Sequence, residues 1–397
     1  MRTWWLAAIT LLFAGAARLP AQECDRPTDL PPLLAVPPSP MPPTSGSRGP
    51  SGDYDPSYFY LPERAPENAG PIACGPAGRF WITPALELAW IKPVSTPNLV
   101  RVGTLNGSVA YGGQQSTPFT PGFSVAGGLW LNSEQTRGFD ASFFWLPETG
   151  VNTVFFSHGS PLLLPTAGGG AFPLADAEHA GSYQGGWNTR FATADVDYRN
   201  NLICTPNARL DALIGYRYAN VGEVGALYGK RVGPGGEIER FRDDIDAVNN
   251  FHGGQIGLAG EYRIDRWFIS GSGKMAFGAM FTDTDLEGKF RVNGVVAPVG
   301  FYARPGVNGT REHANFAVMP VVGLTLGRQI TDHCRLFVGY NFFYLSNVIR
   351  GPDVIDPTPT VIAANPQAPI AATTVRRDAS TSTFWSQSVN LGLDWRF

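Results

Sequence analysis

From Phe80 onward the chain alternates. In ARLDALIGYRY, Ala208, Leu210, Ala212, Ile214, Tyr216 and Tyr218 share one phase; Arg209, Asp211, Gly215 and Arg217 share the other, with Leu213 the exception. A period of two is that of an extended strand with two unlike faces. CRLFVGYNFFYL sets Cys334, Leu336, Val338, Tyr340, Phe342 and Tyr344 in one phase. Its second phase is mixed, since Phe337, Phe343 and Leu345 accompany Arg335, Gly339 and Asn341. The same texture predicts ten strands, at 82–91, 122–131, 138–147, 189–198, 208–218, 251–262, 267–281, 316–328, 334–345 and 385–397. VNTVFF (151–156) and GKFRVNG (288–294) lengthen these strands or add to them, which makes twelve the alternative.

The connections sort by length. Long ones (92–121, 148–188, 219–250, 282–315, 346–384) alternate with short ones (132–137, 199–207, 263–266, 329–333). A soluble sandwich, the competing reading, has no reason to sort its loops this way. A membrane barrel does, with short periplasmic turns on one rim and long extracellular loops on the other. Ring closure pairs every backbone group, so the apolar phase is free to face hydrocarbon. The fold class read here is all-β: a transmembrane antiparallel up-and-down barrel. Trp90, Trp130, Trp145, Tyr216, Tyr218, Trp267, Tyr340, Trp385 and Trp395 lie near strand ends, where aromatic girdles form.

Composition agrees. Charged residues are only 16% of 397, Gly (47) and Pro (34) are abundant, and the net charge of −3 gives no cause to expect nucleic acid. Residues 1–21 read as a signal peptide, with Arg2 before an apolar run and small residues at its end. Residues 22–79 are Pro-rich and without usable period, hence a flexible segment before the barrel of 80–397. Of the four cysteines, Cys24 and Cys74 bracket that segment and pair easily. Cys204 and Cys334 fall on nearly opposite sides of a ten-strand ring, too far apart for a disulfide.

The chain closes on SVNLGLDWRF, in which Val389, Leu391, Leu393, Trp395 and Phe397 alternate with polar or small residues. This run resembles the C-terminal signal read by the outer-membrane barrel assembly machinery, an expected partner during biogenesis together with periplasmic chaperones. RFWITPALELAWIKP (79–93), GFDASFFWLPE (138–148), NARLDALIGYRYANVGE (207–223), FHGGQIGLAGEYRIDRW (251–267), TDHCRLFVGYNFFYLSNVIRGPDVID (331–356) and FWSQSVNLGLDWRF (384–397) resemble, in collinear order, the putative beta-barrel porin-7 family. The resemblance implies a barrel in the bacterial outer membrane. Pro84 departs from a clean first strand and requires a bulge or a strand start there.

Chemistry is sparse. The five His show no metal-ligand spacing, and periodicity selects no outward Ser–His pair for a barrel hydrolase. DTDLEG (283–288) lacks Glu at the twelfth loop position and reads as a strand tip, and FRDDIDAVNN (241–250) reads as loop acidity. No catalytic residue, metal or cofactor is expected. The inward phase is more informative. Its acidic members are Glu87, Asp140, Asp195, Asp197, Asp211, Glu261 and Asp394, and its basic ones Arg209, Arg217, Lys274, Arg335 and Arg396. Barrels of about eight strands are filled by their own side chains and open channels need about sixteen. The expectation is therefore a narrow channel for passive diffusion of small solutes, or a structural surface barrel. The alternative is a surface protein that binds ligands or cells through its loops.

Overall fold

In this computed structural model the described residues are 75, 78–157, 159–166, 169–304, 307–357 and 380–397. The signal peptide, nearly all of the Pro-rich segment, Cys24 and Cys74 lie outside them. Among the described residues fifteen strands follow one another. They are β1 (Phe80–Ile91), β2 (Val94–Val102), β3 (Val109–Gln115), β4 (Thr120–Trp130) and β5 (Arg137–Phe156). Next come β6 (Leu162–Pro165), β7 (Ala171–Ala175), β8 (Ala180–Cys204), β9 (Ala208–Val232) and β10 (Ile238–Ile264). The last are β11 (Trp267–Val292), β12 (Val295–Ala297), β13 (Gly309–Gln329), β14 (Cys334–Val348) and β15 (Ser382–Arg396).

Ten of them form one antiparallel ring, in the order β1-β4-β5-β8-β9-β10-β11-β13-β14-β15 and back to β1. The closing seam runs from Trp81 opposite Arg396 to Ile91 opposite Ser386. Arg79 and Phe80 donate their N–H to the Phe397 carbonyl at 2.6 and 3.1 Å, and Phe397 donates back to Phe80 at 2.9 Å. Pro84 neither bulges nor starts the strand. Thr83 and Pro84 drop out of the β15 ladder while the register on either side is unchanged, so the missing N–H is absorbed locally. Pro84 still faces Val125 of β4.

All ten sequence-predicted strands are present, but several run far past their expected ends. VNTVFF and GKFRVNG continue β5 and β11 and add no strand to the ring. The long connections are correspondingly shorter than expected and are themselves folded. β2, β3, β6 and β7 make a separate small sheet in the order β3-β2-β6-β7. FRDDIDAVNN is strand, in register with both β9 and β11. Cys204 ends β8 and is disulfide-bonded, and not to Cys334.

The outer face marks the membrane. Outward residues of β10 run Ile264, Tyr262, Leu258, Ile256 and His252, and then change to Asn250, Asp246, Asp244 and Arg242. Those of β11 run Trp267, Ile269, Met275, Phe277 and Phe281, and then change to Asp283, Asp285, Glu287 and Lys289. Ile256 is 57% and Leu391 57% exposed, whereas Arg217, inward on β9, is 2% exposed. Such a surface is stable only against hydrocarbon. From Tyr262 to His252 the strand covers ~34 Å, and a tilt of about 40° reduces this to ~26 Å, the height of an outer-membrane apolar band. The strands therefore project well beyond the bilayer on the side of the long connections.

The band makes a positional prediction. Ile256→Arg should cost about 2–4 kcal/mol of folding free energy in lipid vesicles, and Val248→Arg, higher on the same face, under about 1 kcal/mol. Equal costs in a urea titration would contradict the band as placed.

Candidate functional site

Because side chains alternate, each strand that faces lipid on one side sends its other set into the lumen. Near the short turns the lumen is ionic and partly hollow. Arg209 Nε donates to both Asp211 oxygens (2.9 and 2.7 Å), and its guanidinium lies 3.9 Å from the Trp130 ring centroid. Arg199 reaches Asp140 at 3.4 Å and Asp211 at 3.5 Å. Across the barrel Arg335 holds Glu261 at 2.8 Å and Asp394 at 3.4 Å, and Arg396 also reaches Asp394, at 3.1 Å. A cavity of ≈ 260 Å³ lies among these groups.

One level up, Lys274 Nζ sits 2.6 Å from both Asp195 and Asp197, and Arg217 sits 3.0 Å from Asp195. Gln255 knits them together: its amide donates to Asp197 (2.6 Å) and Asp195 (3.1 Å), and its carbonyl accepts from Arg217 (2.7 Å). Ser142 also donates to Asp195. Glu87 is fully buried and accepts from Ser124 (2.6 Å), Ser388 (2.6 Å) and Asn341 (3.2 Å). A second cavity of ≈ 240 Å³ adjoins, sharing Arg199, Ser272, Gly323 and Asn341 with the first. The inward charges named from the sequence are all buried or half-buried, and most of them form ion pairs. Val389 and Leu391 point outward with Phe397 at the rim, each exposed, while Leu393 and Trp395 are half-buried. Among the described residues no His, Cys, Asp and Glu cluster could hold a metal ion.

Above the ionic level the lumen turns apolar. Phe144, Phe191, Phe343 and Phe384 are buried with ring centroids 4.7–5.7 Å apart, and Phe251, Met280 and Met319 complete the layer. Over it lies the segment after β14. Arg350 enters from this segment and donates Nε to Glu223 at 2.7 Å and Nη1 to the Pro93 carbonyl at 2.9 Å, with a further bond from Nη2 to Glu223. Gly351 donates its N–H to Glu223 at 3.0 Å and lies against Trp187, where a Cβ would meet the ring at 2.3 Å. Only glycine lets the segment seat this deeply. Higher still, Leu99, Val100, Tyr111, Tyr183, Trp187, Phe241, Phe301 and Tyr302 form a second apolar core between the projecting strands and the small sheet.

The sequence reading did not find the Phe layer, Glu223 or Arg350. A signal was present: Phe337, Phe343 and Leu345 break the polar phase of β14, and Glu223 continues the inward phase of Arg209, Asp211 and Arg217. The acidity of FRDDIDAVNN is also not simply surface charge. Asp243 is fully buried and accepts N–H bonds from Phe301 (3.1 Å), Tyr302 (3.2 Å) and Ala303 (2.8 Å), which fastens the connection after β12 to the projecting wall.

Known proteins were compared with this arrangement. A sequence model of the family described as Putative beta barrel porin-7 matches residues 95–397. No curated protein matches. Among solved structures, the outer membrane protease OmpT from Escherichia coli is 12% identical, covering 80% of this chain and 97% of its own, with a TM-score of 0.45. The P. putida toluene transporter TodX is 10% identical, covering 81% and 91%, with a TM-score of 0.23. A Pseudomonas aeruginosa FadL homologue is 8% identical, covering 81% and 90%, with a TM-score of 0.21. Likeness this distant carries nothing about activity.

Asp243 lies above the membrane band, and burial pushes its carboxyl up to about 7 against the opposing backbone N–H bonds. In the unfolded chain it ionises near ~4, so between these values the folded form keeps a proton that the unfolded form has lost. The contact is strongest below about pH 4 and weakens until about pH 7. Chymotryptic cleavage after Tyr302, normalised to a free peptide, should be faster at pH 8 than at pH 5.5, and Asp243→Asn should abolish the difference. Equal pH dependence in both proteins would contradict the assignment.

Proposed function

We infer, since the chain belongs to the Putative beta barrel porin-7 family, that it is a narrow channel of the bacterial outer membrane for small solutes, held shut in the conformation described here. The supporting observation is the change of lumen character with depth. A hollow, charge-lined vestibule leads in from the periplasmic rim and ends at Phe144, Phe191, Phe343 and Phe384. An apolar constriction of this kind blocks ions and polar solutes by excluding water. A barrel serving only as a surface scaffold has no use for two charge-lined cavities beneath an apolar layer.

Passage then requires the segment carrying Arg350 to lift and the rings to part. Glu223 is the anchor. Removing either partner of a buried pair leaves an unmatched charge, at about 3–5 kcal/mol, so this pair governs the shut state. Porin-family membership supports a protein without catalytic activity. Export by residues 1–21, and handling of the strip Val389 to Phe397 by the barrel assembly machinery, belong to the same reading. So does passage of solutes selected by size rather than by a dedicated site, since the lumen charges are spent on one another. Loop-based adhesion finds less support, because Leu99, Val100, Leu164, Leu174, Phe301 and Tyr302 of the extracellular connections are buried against the projecting strands, although Val109, Val295 and Val296 stay exposed.

Conductance in planar bilayers tests the proposal. Wild-type protein should be nearly silent. Arg350→Ala and the combined Phe144→Ala, Phe343→Ala variant should each raise open probability or unit conductance by at least ~10-fold. Silence in both variants, with heat-modifiable gel mobility proving them folded, would rule out a channel gated in this way.

A further inference from the structure

Outside the lumen, one strip of the barrel wall changes chemistry in an ordered way. On β8, β9 and β10 the outward residues Val196, Ile214 and Ile256 lie within the apolar band, each more than half exposed. At its upper edge Tyr216 and His252 share a hydrogen bond of 2.6 Å, and the Tyr218 ring packs tilted against His252 with centroids 5.0 Å apart. Above them, past the hydrogen-bonded pair Asn220 and Asn250, comes Arg190, exposed and opposite Gly222. A Cβ on Gly222 would lie 2.4 Å from Arg190 Nε, so the glycine gives the arginine stem its bed across β9. Among the described residues Arg190 makes no ion pair, unlike Arg242 higher on the same wall, which Asp244 holds at 2.8 Å.

Above Arg190 the wall is concave. A groove of ≈ 440 Å³ has Gly186 and Ala226 in its floor, cross-strand neighbours too small to fill it. Its sides carry Asn152, Gln184, Asn188, Tyr228 and Arg242. Asn188 donates to Glu148 at 2.8 Å and Gln184 to Asn152 at 3.3 Å, which holds the amides upright around the floor. Planar amides and a phenol ring are groups that bind sugars. A lone cation below them binds phosphate.

We propose that this strip holds a phosphorylated glycolipid of the outer leaflet, its acyl chains on the wall of Val196, Ile214 and Ile256, its phosphate at Arg190 and its sugars in the groove above. The order of the three chemistries along the membrane normal is the order within such a lipid. Because the strip faces away from the lumen, the inference stands whether or not the pore opens.

The test is native mass spectrometry of the detergent-extracted barrel with a bis-phosphorylated lipid A that carries core sugars. Parallel samples contain its dephosphorylated form, its form without the core sugars, and phosphatidylethanolamine. The full glycolipid should be retained at least ~10-fold better than phosphatidylethanolamine. Arg190→Glu should remove the preference for phosphate, Arg190→Lys should keep most of it, and Gly186→Trp should remove only the preference for sugars. Heat-modifiable mobility checks that each variant folds. Equal retention of all four lipids, or preferences unchanged in Arg190→Glu and Gly186→Trp, would overturn the proposal.

Discussion

In hydrocarbon a backbone N–H or C=O without a partner costs several kcal/mol, so a sheet can stand there only if its last strand finds its first. That requirement organises this molecule. It explains why Phe397 exchanges hydrogen bonds with Phe80, why the register of β1 and β15 survives Pro84, and why β9, β10 and β11 pair without a bulge along their whole shared length. With both edges of the ring strands paired through most of the band, the side chains are free to invert the soluble pattern. Leucines and isoleucines face outward, and arginines are buried within.

Burying so many charges creates the second constraint. A ten-strand lumen is too wide to be filled by aliphatic side chains from the wall alone and too narrow for bulk water to screen its ions. The ion pairs around Lys274, Arg209 and Arg335 satisfy one another and leave cavities of a few hundred cubic ångströms between them. Nearer the outside the wall switches to phenylalanine and methionine, which interlock and need no partner. The Arg350–Glu223 pair then ties a loop down over that layer. Each filling is a different answer to the same problem, and their order makes one end of the lumen ionic and the other apolar.

How much of this the sequence disclosed follows from the range of the forces involved. Alternation is a property of neighbouring residues, so all ten barrel strands, the inward phase of Arg209, Asp211 and Arg217, and the outward phase of Leu391 could be read directly. Strand ends could not. Above the membrane the outer face becomes polar while the ladder continues, so the contrast that marked β10 as a strand from 251 to 262 fades at Asn250 although pairing runs on to Ile238. The Phe layer stayed hidden for a different reason. Phe144, Phe191, Phe343 and Phe384 come from four strands and make sense only once the ring is closed. Asp243 was misread because its partners, the N–H groups of Phe301 to Ala303, lie far away in the chain.

The central claim is that the alternate apolar face of each ring strand meets lipid between Tyr262 and His252 and meets water above. Nitroxide labels placed singly along β10 and β11 in reconstituted vesicles test it most directly, read by collision with oxygen and with a neutral nickel chelate. Labels at Ile256, Leu258 and Ile269 should favour oxygen, labels at Gln255 and Lys274 should be shielded from it, and labels at Arg242 and Asp285 should favour nickel. Nickel accessibility at Ile256 and Leu258 equal to that at Arg242 would contradict a membrane barrel of this orientation.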